Sequence, residues 1–207
     1  VDETQASYPV LDHELLEDVR DIQVIKTHTK EPLKAYSILL SGSPNKGIPQ
    51  GQVSKKGFLA KVAAFVRGNF FIPDARKGWN VFAKKEAKKL LQNEGIQKVI
   101  TTGPPHSTHL IGLELKSAFG VQWLADFRDP WTTIGYHKSL RLSQYAAKKH
   151  KQLERQVLNT ADTIIVTSKT TKAEFQALTT KPIEVITNGF DVEKVDKQSL
   201  DTKFSLA

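Results

Sequence analysis

Two short stretches place reactive side chains where α/β proteins commonly meet their ligands. In ITTGPPHSTHLIGL, Ile100 to Leu113, an apolar run stops at Gly103-Pro104-Pro105-His106-Ser107 and a helix-like pattern begins at once. In ADFRDPW, Ala125 to Trp131, a second apolar run ends in three charges, Asp126, Arg128 and Asp129, followed by Trp131. Beyond the carboxyl ends of parallel strands, such residues line the crevice in which ligands bind. Gly103 allows backbone to approach a ligand closely, while Pro104 and Pro105 stiffen the turn and remove two amide donors. Ser107 or Thr108 would cap the following helix, whose free N–H groups attract an anion or a sugar hydroxyl. His106 stands beside that helix end as a candidate acid, base or hydrogen-bond donor. A plain capped turn with an incidental histidine has the same sequence, so both readings stay open.

In the second stretch, charges at the mouth of a buried strand need partners or ligands. Arg128 has two candidate partners, Asp126 and Asp129, and the carboxylate left over is available for binding. Trp131 offers a flat face on which a sugar or a base can stack. Two weaker features follow. Ser168 opens SKTTKAEF after another apolar run and suits a helix cap at the same sheet edge. Asn188-Gly189 in ITNGFD is a tight-turn pair, too short to name a function.

Several chemistries lack their signatures. There is no HExxH, no GxSxG, no GxGxxG and no Cys/His cluster. His106 and His109 have i, i+3 spacing but no evident third ligand, so no metal and no other cofactor is expected. Gly42 and Gly47 have the spacing of half a P-loop, but Ile48 and Pro49 follow where Lys and Ser/Thr are required. With no cysteine, disulfides and thiolate sites are excluded, and a cytoplasmic home is the default.

The elements that must hold these residues follow from periodicity and turn signals. A strand is expected at Ile22–Thr27, after an acidic helix at 12–19. Gly, Pro and Ser mark 41–52 as a loop. Helices are expected at 56–67, with Phe58, Leu59, Val62, Phe65 and Val66 on one face, and at 79–93, with Val81, Phe82, Leu90 and Leu91 turned inward. Then strand and helix alternate: strand 98–102, helix 107–119, strand 121–127, helix 140–159, strand 163–167, helix 170–178 and strand 183–186. Continuous apolar strands separated by helices imply an α/β, Rossmann-like parallel sheet with helices on both faces.

At 207 residues, 39% of them hydrophobic, the chain can bury one substantial core. Its net charge of +8 is concentrated in Lys46–Lys98 and Lys138–Arg155. That surplus suits an anionic partner, whether nucleic acid, anionic lipid or a phosphorylated small molecule. Lysines recurring at helical spacing equally describe solvated helix faces.

Taken together, ITTGPPHSTHLIGL, WLADFRDPWT, NTADTIIVTS and VITNGFD resemble the N-terminal half of a family 4 glycosyltransferase of the bacterial surface-polysaccharide kind. The resemblance implies a type-B fold, two Rossmann-like domains facing each other across a cleft. Residues 1–187 would form the acceptor-side domain, with the family's first strand and Gly-rich loop missing. Residues 188–207 would be the interdomain segment and the start of the nucleotide-sugar domain. The implied activity is retaining transfer of a sugar from a nucleotide-sugar to a glycan or lipid-linked acceptor. A piece with these boundaries is expected to be inactive alone. The resemblance assigns Gly103, Pro104, Ser107, Asp126, Arg128, Trp131 and Ser168 to the cleft. Asp129 is the first candidate for handling the acceptor hydroxyl and His106 the second. Lipid-linked acceptors would place the basic helices of Lys56–Lys89 against the anionic inner surface of a membrane, with no nucleic acid as partner. Two other functions fit the same fold class: a non-catalytic basic module that binds nucleic acid or another polyanion, and a type-B nucleotide-sugar epimerase.

Overall fold

In the computed structural model of the chain, the described residues are 1–2, 20–30 and 58–189. The helix expected at 12–19, the loop at 41–52 and all of the interdomain segment beyond Gly189 lie outside them. The described order is α1 (Phe58–Phe70), a 3-10 turn (Ala75–Trp79), α2 (Asn80–Glu94), β1 (Lys98–Gly103), α3 (Ser107–Phe119), β2 (Gln122–Phe127), a second 3-10 turn (Gly135–Leu140), α4 (Gln144–Thr160), β3 (Thr163–Val166), α5 (Lys169–Gln176) and β4 (Ile183–Val185). The four strands form one parallel sheet in the order β1-β2-β3-β4, a Rossmann-like arrangement.

Register decides which side chains share a face. Thr101 pairs with Ala125 and Gly103 with Phe127, and these in turn pair with Ile164 and Val166. Trp123, Ala125, Phe127, Ile164 and Val166 therefore point to one side, where Val157 and Leu158 of α4 and Phe175 of α5 complete the main core. A smaller cluster of Ile111, Leu115 and Val121 joins α3 to Trp79, Ala83, Ala87 and Leu91 of the preceding helical region. At the rim of that contact Glu114 of α3 pairs with Lys84 and Lys88 of α2. These two lysines thus brace a helix pair.

The helix boundaries have local causes. Gly95 (φ 63°) and Gly120 (φ 67°) end α2 and α3 in the left-handed conformation that a Cβ disfavours. Ser143 caps α4, its Oγ accepting from the Ala146 amide at 3.2 Å. The single helix expected over 140–159 is accordingly interrupted. A separate 3-10 turn closes at Leu140, Arg141 takes a left-handed conformation (φ 49°), and α4 starts only after the serine.

Two other expectations are corrected. Ile22–Thr27 forms no strand, because no ladder partner flanks it among the described residues and it gains one backbone bond, from the Asp2 amide to the Thr27 carbonyl. Val81 does not turn inward. It is 66% exposed, since α2 packs on α3 through Ala83, Ala87 and Leu91 instead.

One close approach holds the centre. Gly112 of α3 lies directly over Trp123, and a Cβ there would sit 2.2 Å from the indole Nε1. That nitrogen is already committed, donating to Thr101 Oγ1 at 2.8 Å. Gly112→Ala is expected to push α3 off the sheet and destabilise the domain by about 1–3 kcal/mol. Chemical denaturation measures this, and an unchanged midpoint would remove the close approach as a packing constraint.

Candidate functional site

The carboxyl ends of all four strands converge on Arg128. Its amide donates to the Gly103 carbonyl at 2.9 Å, and its own carbonyl accepts from Thr167 Oγ1 at 3.1 Å. Its guanidinium donates to Asn188 Oδ1, beyond β4, and lies 3.6 Å from Asp126 Oδ1. Of the two carboxylates that flank it, Arg128 therefore takes Asp126. Asp129, half-buried, has neither ion pair nor hydrogen bond among the described residues.

Beneath this edge lies a layer of flat rings. His106 stacks on Trp131 with centroids 5.0 Å apart and planes 3° from parallel, and His109 stacks on Phe127 at 4.2 Å. Trp131 is 2% exposed and its face is occupied by His106, so it presents no open stacking surface to a sugar. Its Nε1 donates to His150 Nδ1 at 3.2 Å, leaving the other His150 nitrogen 3.4 Å from the Gly68 carbonyl. The loop that carries Asp129 is thus pinned from below through Trp131. It is pinned a second time at Thr132, whose amide (3.0 Å) and hydroxyl (2.6 Å) both donate to the buried carboxylate of Glu154.

The helix end also differs from the simple picture of a free anion site. Asp74 occupies the N-terminus of α3: Ser107 donates to it through its amide at 2.7 Å and through its hydroxyl at 2.8 Å. Asp74 also caps the first 3-10 turn, accepting from the Arg76 amide at 2.9 Å. Ser107 is fully buried by this arrangement, and its carbonyl accepts from Asn80 Nδ2 at 2.7 Å. Burial raises the Asp74 pKa above the ordinary carboxylate value, and these hydrogen bonds oppose the rise. Ser168 likewise acts as a cap, accepting from the Thr171 amide at 3.1 Å.

The Gly103-Pro104 and Pro104-Pro105 peptide bonds are both cis. Gly103 admits two imidazoles to the turn. A Cβ there would meet His109 Nε2 at 2.6 Å and His106 Nδ1 at 3.3 Å. His109 Nδ1 lies 3.0 Å from Thr101 Oγ1, which accepts from Trp123. Both nitrogens of His106 and the Nε2 of His109 are buried without hydrogen-bond partners.

Burial is the main force on these rings. It depresses the His106 pKa to about 3, with His137 and His150 adding to the effect and the nearby Pro130 carbonyl opposing it. His109 is pushed well below its ordinary value by burial and then by His106. His137 is lowered to about 4, and His150 is also lowered, in both cases chiefly by burial. All four are neutral at neutral pH. At 5% exposure and with so low a pKa, His106 is a weak base with little access to a substrate. Among the described residues no group of three or more His, Asp or Glu side chains is placed to hold a metal ion.

Asp74, Glu154 and His150 carry this arrangement, and none was singled out by sequence reasoning. Helical spacing does contain a signal for two of them: His150 and Glu154 fall on the stripe of Ala146, Val157 and Leu158 that α4 buries. For Asp74 the local signal is Pro73-Asp74 before a turn, and its partner lies 33 residues away.

Asp74→Ala leaves the Ser107 amide unsatisfied and is expected to cost about 1–2 kcal/mol of stability, read by denaturation. Stability identical to that of the parent protein would show that the cap contributes nothing. The histidines set an acid limit. Each has a folded pKa below its unfolded value, so the unfolded chain binds more protons and stability is lost as pH falls below about 6.5 towards the folded values. Asp74 and Glu154 have raised values and contribute the opposite slope. His106→Phe retains a ring on Trp131 but takes up no proton, so its Tm should fall less than the parent's between about pH 7 and about pH 5. An equal fall would exclude His106 as a source of the acid sensitivity.

A family model described as Glycosyltransferase Family 4 matches residues 16–194. No curated protein and no solved structure matches the chain. The matched span takes in the whole parallel sheet and every residue placed at its carboxyl edge, and on that match the chain belongs to glycosyltransferase family 4.

Proposed function

We propose that this chain is the acceptor-side half of a retaining glycosyltransferase, with Asp129 as the group that handles the acceptor hydroxyl. Membership of the family supports sugar transfer. The observation that carries the finer reading is the division of labour at the sheet edge: Arg128 engages Asp126, His106 is enclosed and neutral, and Asp129, half-buried, has neither ion pair nor hydrogen bond among the described residues. The donor is a nucleotide-sugar, held mainly by a second domain across the cleft. The acceptor is a glycan or a lipid-linked sugar, and the product belongs to surface polysaccharide synthesis in the cytoplasm of a bacterium.

In the reaction the acceptor oxygen forms a bond to the anomeric carbon on the same face from which the diphosphate oxygen departs, so that the configuration is retained. The acceptor proton passes to Asp129 or to the departing phosphate. Fixing the hydroxyl against the anomeric carbon on the leaving-group face is worth more than proton abstraction by itself. A loop pinned at both Trp131 and Thr132 suits that task.

The polyanion-binding alternative loses support from the lysines already engaged: Lys84 and Lys88 by Glu114, and Lys116 by Asp162 at 2.7 Å. In the intact enzyme, Asp129→Asn is expected to lower turnover by about a hundredfold while leaving the denaturation midpoint unchanged. Near-normal turnover would remove Asp129 from the mechanism. Thermal shifts against UDP- and GDP-sugars, with a DNA oligonucleotide as control, test the class of function. Stabilisation by one nucleotide-sugar class fits, whereas a salt-sensitive response to DNA alone fits a polyanion module. Product analysis separates transfer from epimerisation, which alters the sugar without consuming an acceptor.

A further inference from the structure

Helix α4 turns two polar side chains inward, His150 and Glu154, one turn apart on the stripe it buries. They hold neighbouring residues of the loop after β2. His150 accepts from the Trp131 indole at 3.2 Å, and Glu154 accepts from the Thr132 amide at 3.0 Å and the Thr132 hydroxyl at 2.6 Å. Each carboxylate oxygen of Glu154 therefore has a donor from the same residue. Thr133 is held in turn by Glu174 of α5 at 2.6 Å, but that bond lies at the exposed surface.

Glu154 is unfavourable for stability where it stands. It is 2% exposed, and no cation forms an ion pair with it among the described residues. Burial raises its pKa, the two Thr132 bonds oppose the rise, and the charge of Glu174 adds to it. An apolar side chain would fill the same stripe, beside Val157 and Leu158, without that cost. What the carboxylate adds is a fixed place for Thr132. Asp129 lies three residues earlier, and the chain between them has little freedom. Pro130 fixes its own φ and restricts Asp129 to extended conformations. Trp131 is buried, stacked on His106 and bonded to His150.

We infer that Glu154 is a positioning residue for the transfer reaction: by accepting both Thr132 donors it sets where the Asp129 carboxylate stands against the acceptor hydroxyl. It is too enclosed to meet a substrate itself. The inference rests on the reading of Asp129 given above.

Two substitutions separate position from charge. In Glu154→Gln the side-chain oxygen still accepts from the Thr132 amide and the NH2 donates to the Thr132 hydroxyl, so both bonds survive without the charge. In Glu154→Leu both are lost while the stripe stays filled. Turnover of the intact enzyme is read as nucleoside diphosphate released from a UDP- or GDP-sugar, with a lipid-linked saccharide extract as acceptor. Glu154→Leu should lower kcat by about tenfold or more with the donor KM unchanged, and Glu154→Gln should stay within about threefold of the parent. Amide hydrogen exchange should rise at residues 131–134 in Glu154→Leu, with β2 and the rest of α4 as protected as in the parent. Because Glu154 acts through Asp129, adding Glu154→Leu to Asp129→Asn should lower kcat by less than about twofold further.

A parental kcat in Glu154→Leu, a loss in Glu154→Gln as deep as in Glu154→Leu, or losses that multiply in the double variant would each overturn the inference. The loss at Asp129→Asn, and with it the proposed function, would then still stand. Near-normal turnover of Asp129→Asn would remove the proposed function and this inference with it. Thr132→Val deletes the hydroxyl bond without touching the core, and kcat should fall by about threefold or more. An unchanged kcat there would overturn the inference whatever Glu154→Leu does to the fold.

Discussion

The stack of His106 on Trp131 is the contact on which the site depends. It joins the first residue after the Gly-Pro-Pro turn to the loop that follows β2, and so makes one body of two segments whose strands are merely neighbours. Burying two nearly parallel rings gives both apolar area and a fixed orientation. Trp131 extends the link to α4 through His150, and His150 reaches the backbone of α1 at Gly68. A line of contacts therefore runs from the sheet edge to α1.

That arrangement places neutral polar atoms where they have no partners, which is unfavourable unless the surroundings hold them rigidly. Three imidazole nitrogens at the Gly103 turn are in this position. The stacking of these rings on Trp131 and Phe127 offsets part of that cost. Arg128 uses its backbone to tie β1 to β3 and its side chain to tie Asp126 to Asn188. With the rings neutral and Arg128 paired to Asp126, Asp129 is the carboxylate of this edge that has neither ion pair nor hydrogen bond among the described residues.

Much of the fold was legible in the sequence. The alternation from Lys98 to Val185 fixes strand and helix types, and Gly95 and Gly120 end their helices where the residue type demands. What was not legible involved distant partners. Asp74 is a local turn residue until the chain brings Ser107 to it, and Trp131 reads as a sugar platform until His106 covers its face. The side of α1 that would be buried was not assigned by its apolar stripe. In the structure Ala64 and Gly68 are buried, Gly68 in close approach to Leu140 and Leu142, whereas Val62 and Phe65 are exposed. The Arg128 ambiguity between two carboxylates likewise needed geometry, because sequence distance is nearly the same for both.

The His106 imidazole beside the Gly-Pro-Pro turn is an enclosed ring stacked on Trp131, and the proposed chemistry falls to Asp129 rather than to it. Imidazole ¹⁵N and ¹³C NMR of His106 across a pH titration tests this most directly. An enclosed ring stays neutral through the neutral range and takes up a proton only near its depressed pKa of about 3, or when the domain unfolds. A His106 that titrates reversibly in the folded protein near the ordinary value of about 6.5 would contradict it. It would show a ring open to solvent and available as the acid or base of the reaction.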